Sequence, residues 1–144
     1  MKTKYLMLVA VTIFMALPIY GQEVYLSASE YPEEINAYVN EHFPDDEIVS
    51  IKQDKELLKT EYEVQLKNRV ELEFDGKFSV QKIEGKSPLP NGVIPSQIRD
   101  YVTKNYPNNT IFEWKREKNG QKVELNNELE LIFNSNGEFL GIDD

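Results

Sequence analysis

One histidine, no cysteine and 25 aspartate and glutamate residues are what this chain offers to chemistry. Nucleophilic catalysis needs a base beside the nucleophile, and the usual base is histidine. His42 has no cysteine and no recognisable serine motif to accompany it, and near the end of a helix its imidazole meets the helix dipole favourably. Zinc is equally unsupported, because tetrahedral sites draw on several Cys and His ligands. Asp45-Asp46-Glu47 and Asp143-Asp144 lack the alternating oxygen ligands and central glycine of a calcium loop. Glycoside hydrolysis needs a pair of carboxylates in a cleft with one pKa raised, which a solvated strand face does not supply. No catalytic residue, metal site or cofactor is therefore expected.

The carboxylates instead follow a surface pattern. Glu61, Glu63, Glu71, Glu73, Asp75, Glu124, Glu128 and Glu130 read as outward positions of two hairpins, against only Lys67 and Lys122. Such a face suits a basic or cationic partner, and it also serves solubility and blocks unwanted strand pairing. One patch beside it is apolar: alternation places Ile132, Leu140 and Ile142 opposite to Leu131, Phe133 and Phe139. A bulge near Gly137 would reverse that register and turn the three inward, so both readings stand. The candidate interaction surface is Ile132, Leu140 and Ile142 with Glu71, Glu73, Glu128 and Glu130.

The elements that must position these residues are written twice. Pro32, Ile35, Tyr38, Val39, Phe43, Pro44 and Ile48 recur 63 positions later as Pro95, Ile98, Tyr101, Val102, Tyr106, Pro107 and Ile111. Val64, Leu66, Asn68, Val70, Leu72 and Phe74 recur 59 positions later as Val123, Leu125, Asn127, Leu129, Leu131 and Phe133, the shortening being a loop deletion near Asn119-Gly120. In each copy the first part is a short amphipathic helix, with proline tolerated in its first turn and a second proline just past its end. The second part switches to period two, as strands with one buried face do. The first copy predicts strands over 47–53, 61–67, 69–75 and 77–83, with Lys67-Asn68-Arg69 and Asp75-Gly76 as turns. Trp114 falls in the slot of Ile51 and is expected to pack under a helix.

The expected fold is α+β: two tandem repeats of one helix and four antiparallel strands, forming one continuous sheet of about eight strands with both helices on one face. The repeats span residues 22–85 and 93–144, joined by a proline-glycine linker over 86–92. Residues 1–21 read as a signal peptide, with Lys2 and Lys4 ahead of an apolar run from Tyr5 to Leu17 and Gly21 at the cleavage point. That run is short of the roughly 20 apolar residues a membrane span needs. The chain carries a formal charge of −9, and the segment beyond residue 21 is more acidic still, since residues 1–21 hold two lysines and no acid. Nucleic acid and anionic lipid are thereby excluded as partners, and no membrane anchor is expected after cleavage. The expected address is periplasmic or secreted.

Leu89-Pro90, Ile98, Tyr101-Val102, Asn105-Tyr106-Pro107, Val123-Glu124-Leu125, Glu130-Leu131-Ile132-Phe133 and Asn136-Gly137-Glu138-Phe139-Leu140 closely resemble the PepSY-like family of exported bacterial proteins, also described as β-lactamase-inhibitor-like. Phe43-Pro44 and the run from Val70 to Phe78 carry the same resemblance in the first copy. It implies two helix-plus-four-strand units in a concave sheet, and a non-enzymatic role in binding or inhibiting an exported protein. The expectation is therefore an exported binding module that engages a protein or peptide through the open sheet face. The alternative is a periplasmic sensor holding a small cationic ligand or metal ion on its acidic face, with enzymatic activity the third reading.

Overall fold

The structure, a computed structural model, describes residues 21–143. The expected signal peptide, apart from Gly21, lies outside the described residues. Both helices run ten residues, α1 from Glu33–His42 and α2 from Ser96–Asn105. Each begins after a proline, Pro32 or Pro95, and each closes on a backbone bond from Phe43 N–H to Val39 O or from Tyr106 N–H to Val102 O. The prolines that follow supply no N–H to extend the ladder. Glu33 and Glu34 sit at the positive end of α1 and His42 at its negative end, both favourable to the helix dipole. The His42 ring packs on Tyr38 with centroids 4.4 Å apart, a packing role.

The strands are β1 (Gln22–Tyr25), β2 (Ile48–Lys55), β3 (Thr60–Leu66), β4 (Glu71–Asp75) and β5 (Val80–Glu84), then β6 (Ile111–Glu117), β7 (Gly120–Leu125), β8 (Glu130–Phe133) and β9 (Phe139–Asp143). They form one antiparallel sheet in simple sequence order. Among the described residues the sheet has nine strands where about eight were expected. The extra one is β1, whose four exposed residues carry no alternation by which a strand is recognised. It lies on the outer edge of β2, as β5 lies on β6.

The two copies are joined by the pairing of β5 with β6, which sets Ile83 opposite Trp114. Val64, Leu72, Ile83, Trp114, Val123 and Leu131 therefore stand in one cross-strand row, each no more than 2% exposed. Burying an aliphatic side chain of this kind stabilises by about 1.5–3 kcal/mol. Ile35 and Val39 of α1, with Ile98 and Val102 of α2, belong to the same core. Tyr38 meets Phe74 edge-on at 5.4 Å, and its repeat mate Tyr101 meets Phe133 in the same way at 5.5 Å.

Irregularities repeat along with the regular elements. Ladder slips fall between Ile48 and Ser50 and between Ile111 and Glu113, so Val49 and Phe112 occupy matching bulges. Gln81 and Leu140 occupy another matching pair. Arg69 and Glu128 take matching left-handed turn positions, with φ of 70° and 66°. Phe78 and Gly137 do likewise at 61° and 83°, and only in the second copy is the residue the glycine that such a φ favours.

Candidate functional site

Alternation along each strand sends polar side chains to the face opposite the core. Antiparallel register then lines them up across strands, because residues directly opposite each other share a face. One such line runs Glu71, Glu84, Glu113, Glu124, Glu130, Asp143, one carboxylate on each strand from β4 to β9. Five inter-strand steps of about 4.8 Å make it roughly 24 Å long. It crosses the junction between the two copies through Glu84 and Glu113. Two residues along the strands lies a second line, in which Lys52, Glu63, Glu73, Lys82, Lys115, Lys122 and Ile132 succeed one another.

Like charges directly opposite each other destabilise a sheet, and the second line offsets part of that cost. The Lys82 ammonium donates to Glu84 at 2.7 Å and lies 3.6 Å from Glu113. Lys122 lies 2.8 Å from Glu130 and 2.6 Å from Asp143. The bonds to Asp143 and Glu130 push the Lys122 pKa up, and the same contact holds Asp143 low. Burial pulls Lys82 down, but its bond to Glu84 and the charges of Glu113, Glu84 and Glu73 outweigh it, so its net shift is upward. The bond from Lys82 holds Glu84 below the ordinary carboxylate value.

Two members of the line lack such help. Among the described residues no basic group lies within salt-bridge distance of Glu71 or Glu124. Burial, followed by the charge of Glu63, pushes Glu71 upward, and burial does the same to Glu113. A carboxyl raised in the folded state binds its proton more tightly there than in the unfolded chain. It therefore costs stability at neutral pH, and the cost disappears as pH falls through the raised value. Glu71→Gln is expected to raise the thermal midpoint at pH 7, with the gain vanishing below the ordinary 4.5, as read by melting curves across that range.

The expected surface residues divide. Glu71, Glu73 and Glu130 stand on the face opposite the core, in the two lines described above. Glu128 does not: it occupies the β7–β8 turn, where a left-handed residue closes the bond from its N–H to Leu125 O. Ile132 lies between Lys122 and Gly141, and Leu140, 63% exposed at its bulge, lines the same hollow as Ile132, Glu117 and Lys122. Ile142 is separated from them. The extra residue at Leu140 shifts the ladder by one, so Ile142 stands opposite core-facing Leu131, and it is 46% exposed because, among the described residues, no strand lies beyond β9. Its repeat mate Ile83 is fully buried against Trp114. Lys67, counted as an outward base, sits at the β3–β4 turn, while Lys52, Lys82 and Lys115 bring the positive charge that sequence reading missed. Glu84 and Glu113 were missed as well, although Glu113 alternates legibly with Phe112 and Trp114. Trp114 is 2% exposed and donates its indole N–H to Gln121 Oε1 at 2.9 Å, so it serves the core.

The comparisons agree with this architecture. A protein from Bacteroides vulgatus, described as a "putative periplasmic protein of unknown function", is 28% identical over 85% of this chain and 100% of its own, with a TM-score of 0.79. One from Bacteroides thetaiotaomicron, described as a "putative calcium-regulated periplasmic protein", is 28% identical over 85% of this chain and 97% of its own, with a TM-score of 0.78. Such relatives place the chain in the periplasm. No curated protein matches it. The family model for "Putative beta-lactamase-inhibitor-like, PepSY-like" proteins matches twice in tandem, over residues 19–82 and 81–141, and the chain belongs to that family.

Proposed function

We propose that this protein is a non-enzymatic binding module whose open sheet face takes a basic segment of an exported protein or peptide. The observation that carries this reading is the line of six carboxylates from Glu71 to Asp143, which the paired lysines neutralise only in part. Both helices cover the opposite face. That arrangement is supported by Tyr38 and Tyr101, which meet Phe74 and Phe133 on the same side of the sheet. The two units, 22–85 and 93–144, then act as one surface, because the carboxylates run unbroken over the β5–β6 junction. Ile132 and Leu140 add an apolar contact at the β9 end. A basic segment gains twice, from direct ion pairs and from relief of repulsion among neighbouring carboxylates.

The test is a pull-down from a periplasmic extract with the wild type, with Glu71→Lys/Glu124→Lys, and with Ile132→Lys. Glu71 and Glu124 are chosen because reversing them breaks no ion pair. The double variant is expected to lose its captured partners at least tenfold while keeping its circular dichroism. Capture should also weaken as salt rises, since exposed charges are screened beyond about 10 Å at 0.1 M. Identical partners from all three proteins would sink the reading.

A cation-sensor reading draws on the relative described as calcium-regulated. Among the described residues no three His, Cys, Asp or Glu side chains gather closely enough to hold a metal ion. Carboxylates spread one per strand suit a charge distributed along a segment better than a single ion. Calorimetry with calcium chloride separates the two, and a saturable heat would favour the sensor.

A further inference from the structure

Among the described residues, one buried side-chain atom has no hydrogen-bond partner: Oδ1 of Asp54, near the end of β2. Gly21 lies beside it. A Cβ built on Gly21 would stand 3.4 Å from that oxygen, 3.3 Å from Cγ of Glu56 and 3.8 Å from the Lys55 carbonyl oxygen. The edge strand β1 opens on the next residue, Gln22, which pairs with Lys55. Glu23 of β1 and Glu61 of β3 stand opposite Asp54, Asp75 of β4 stands opposite Glu61, and Glu56 follows β2. The bases nearby are Lys52, which lines the same hollow, Lys55 and Lys59; Lys52 is already held by Glu63 and Lys59 by Glu61, each at 2.6 Å. A carboxylate oxygen closed off from water without a donor is unfavourable, and these neighbours make it more so. None of these lysines donates to Asp54 Oδ1, and the junction of Gly21 and Gln22 lies beside that oxygen.

We propose that Asp54 receives the α-ammonium group created when the chain is cut between Gly21 and Gln22. That bond is where the basic start, the apolar run and the small residue at position 21 put the leader's end. Hydrolysis adds the oxygen of water to the Gly21 carbonyl carbon, which departs with the leader as a carboxylate. The Gln22 nitrogen takes up protons and becomes an ammonium. This nitrogen is two bonds from the Gly21 Cα, whose Cβ position is 3.4 Å from the Asp54 oxygen, so the new charge arises beside a carboxylate, and opposite charges shift each other's pKa over roughly 4–6 Å. In the uncut chain the same nitrogen is a neutral amide. Removal of the leader thus completes the pairing of β1 with β2 by placing an ion pair at its first residue.

The test uses the exported protein recovered from the periplasm. Mass spectrometry is expected to show that it begins at uncyclised Gln22. NMR titration of the ¹⁵N-labelled Gln22 amine is expected to give a pKa about one unit above the ordinary 7.7–8.0. The shift should disappear in Asp54→Asn. The linkage sign follows from a raised amine. Its stabilisation is full below the unfolded value and is lost as pH rises through the folded one. Asp54→Asn should therefore lower the melting temperature at pH 6–7 and leave it unchanged at pH 10. A different first residue, a cyclised Gln22, or an ordinary amine titration in the wild type would overturn the proposal, the last meaning that Asp54 simply regains water.

Discussion

Trp114→Ala is expected to remove about 3–5 kcal/mol of stability, the usual cost of deleting a fully packed large aromatic. At about 3–5 °C per kcal/mol for a domain of this size, the thermal midpoint should fall by roughly 10–20 °C. Two features put the effect at the high end. Trp114 lies in the row that crosses the joint between the copies, between Ile83 of β5 and Val123 of β7, so the cavity opens where the two units meet. Its indole N–H is also the donor to Gln121 Oε1, and Gln121 is 6% exposed. Trp114→Phe separates these contributions. It keeps most of the apolar surface but leaves that oxygen without its donor, a loss of about 1–3 kcal/mol. Equal losses from the two variants, measured by urea unfolding, would mean that packing contributes little at this position.

Gly120→Ala should be the other severe change. A Cβ at position 120 would run into the carbonyl oxygen of Phe133, 3.2 Å from its carbonyl carbon and 3.3 Å from the Asn134 Cα. Those atoms are backbone at and just past the end of β8, so no rotamer change relieves the clash and β7 must move away from them. Overpacking of this kind costs about 3 kcal/mol. Gly141 is the internal control, since a Cβ there meets nothing within 4 Å. Gly141→Ala is expected to be neutral, or to stabilise by about 0.5 kcal/mol through reduced freedom of the unfolded chain. Equal melting temperatures for the two alanine variants would show that the β7–β8 approach is looser than these contacts imply.

Much of this protein is legible in single residues and their spacing. The apolar stripe of α1 and α2, the prolines that bound them and the alternation of β3, β4, β7 and β8 each depend on contacts within about seven residues, and all appear where periodicity puts them. The tandem repeat is legible for the same reason, since each unit repeats the same local requirements. Even the loop deletion near Asn119-Gly120 marks the tight hairpin between β6 and β7. The same is true of Trp114 as a core residue, because its slot in the repeat is that of an isoleucine.

What only the tertiary structure decided is which residue stands opposite which. Alternation assigns a face to each side chain within one strand, but a bulge adds one residue and exchanges the faces beyond it. The bulge at Leu140 therefore divides Ile132 from Ile142, two residues that alternation alone puts together. The carboxylate line needs five registers at once, including the β5–β6 pairing that joins distant parts of the chain, so the Glu84–Glu113 contact has no local signature. Charge composition announces an acidic protein, and sequence spacing announces an acidic face. The register of the sheet concentrates that acidity into a single line crossed by lysines, because hydrogen bonds between strands, rather than distance along the chain, set how far apart these charges lie.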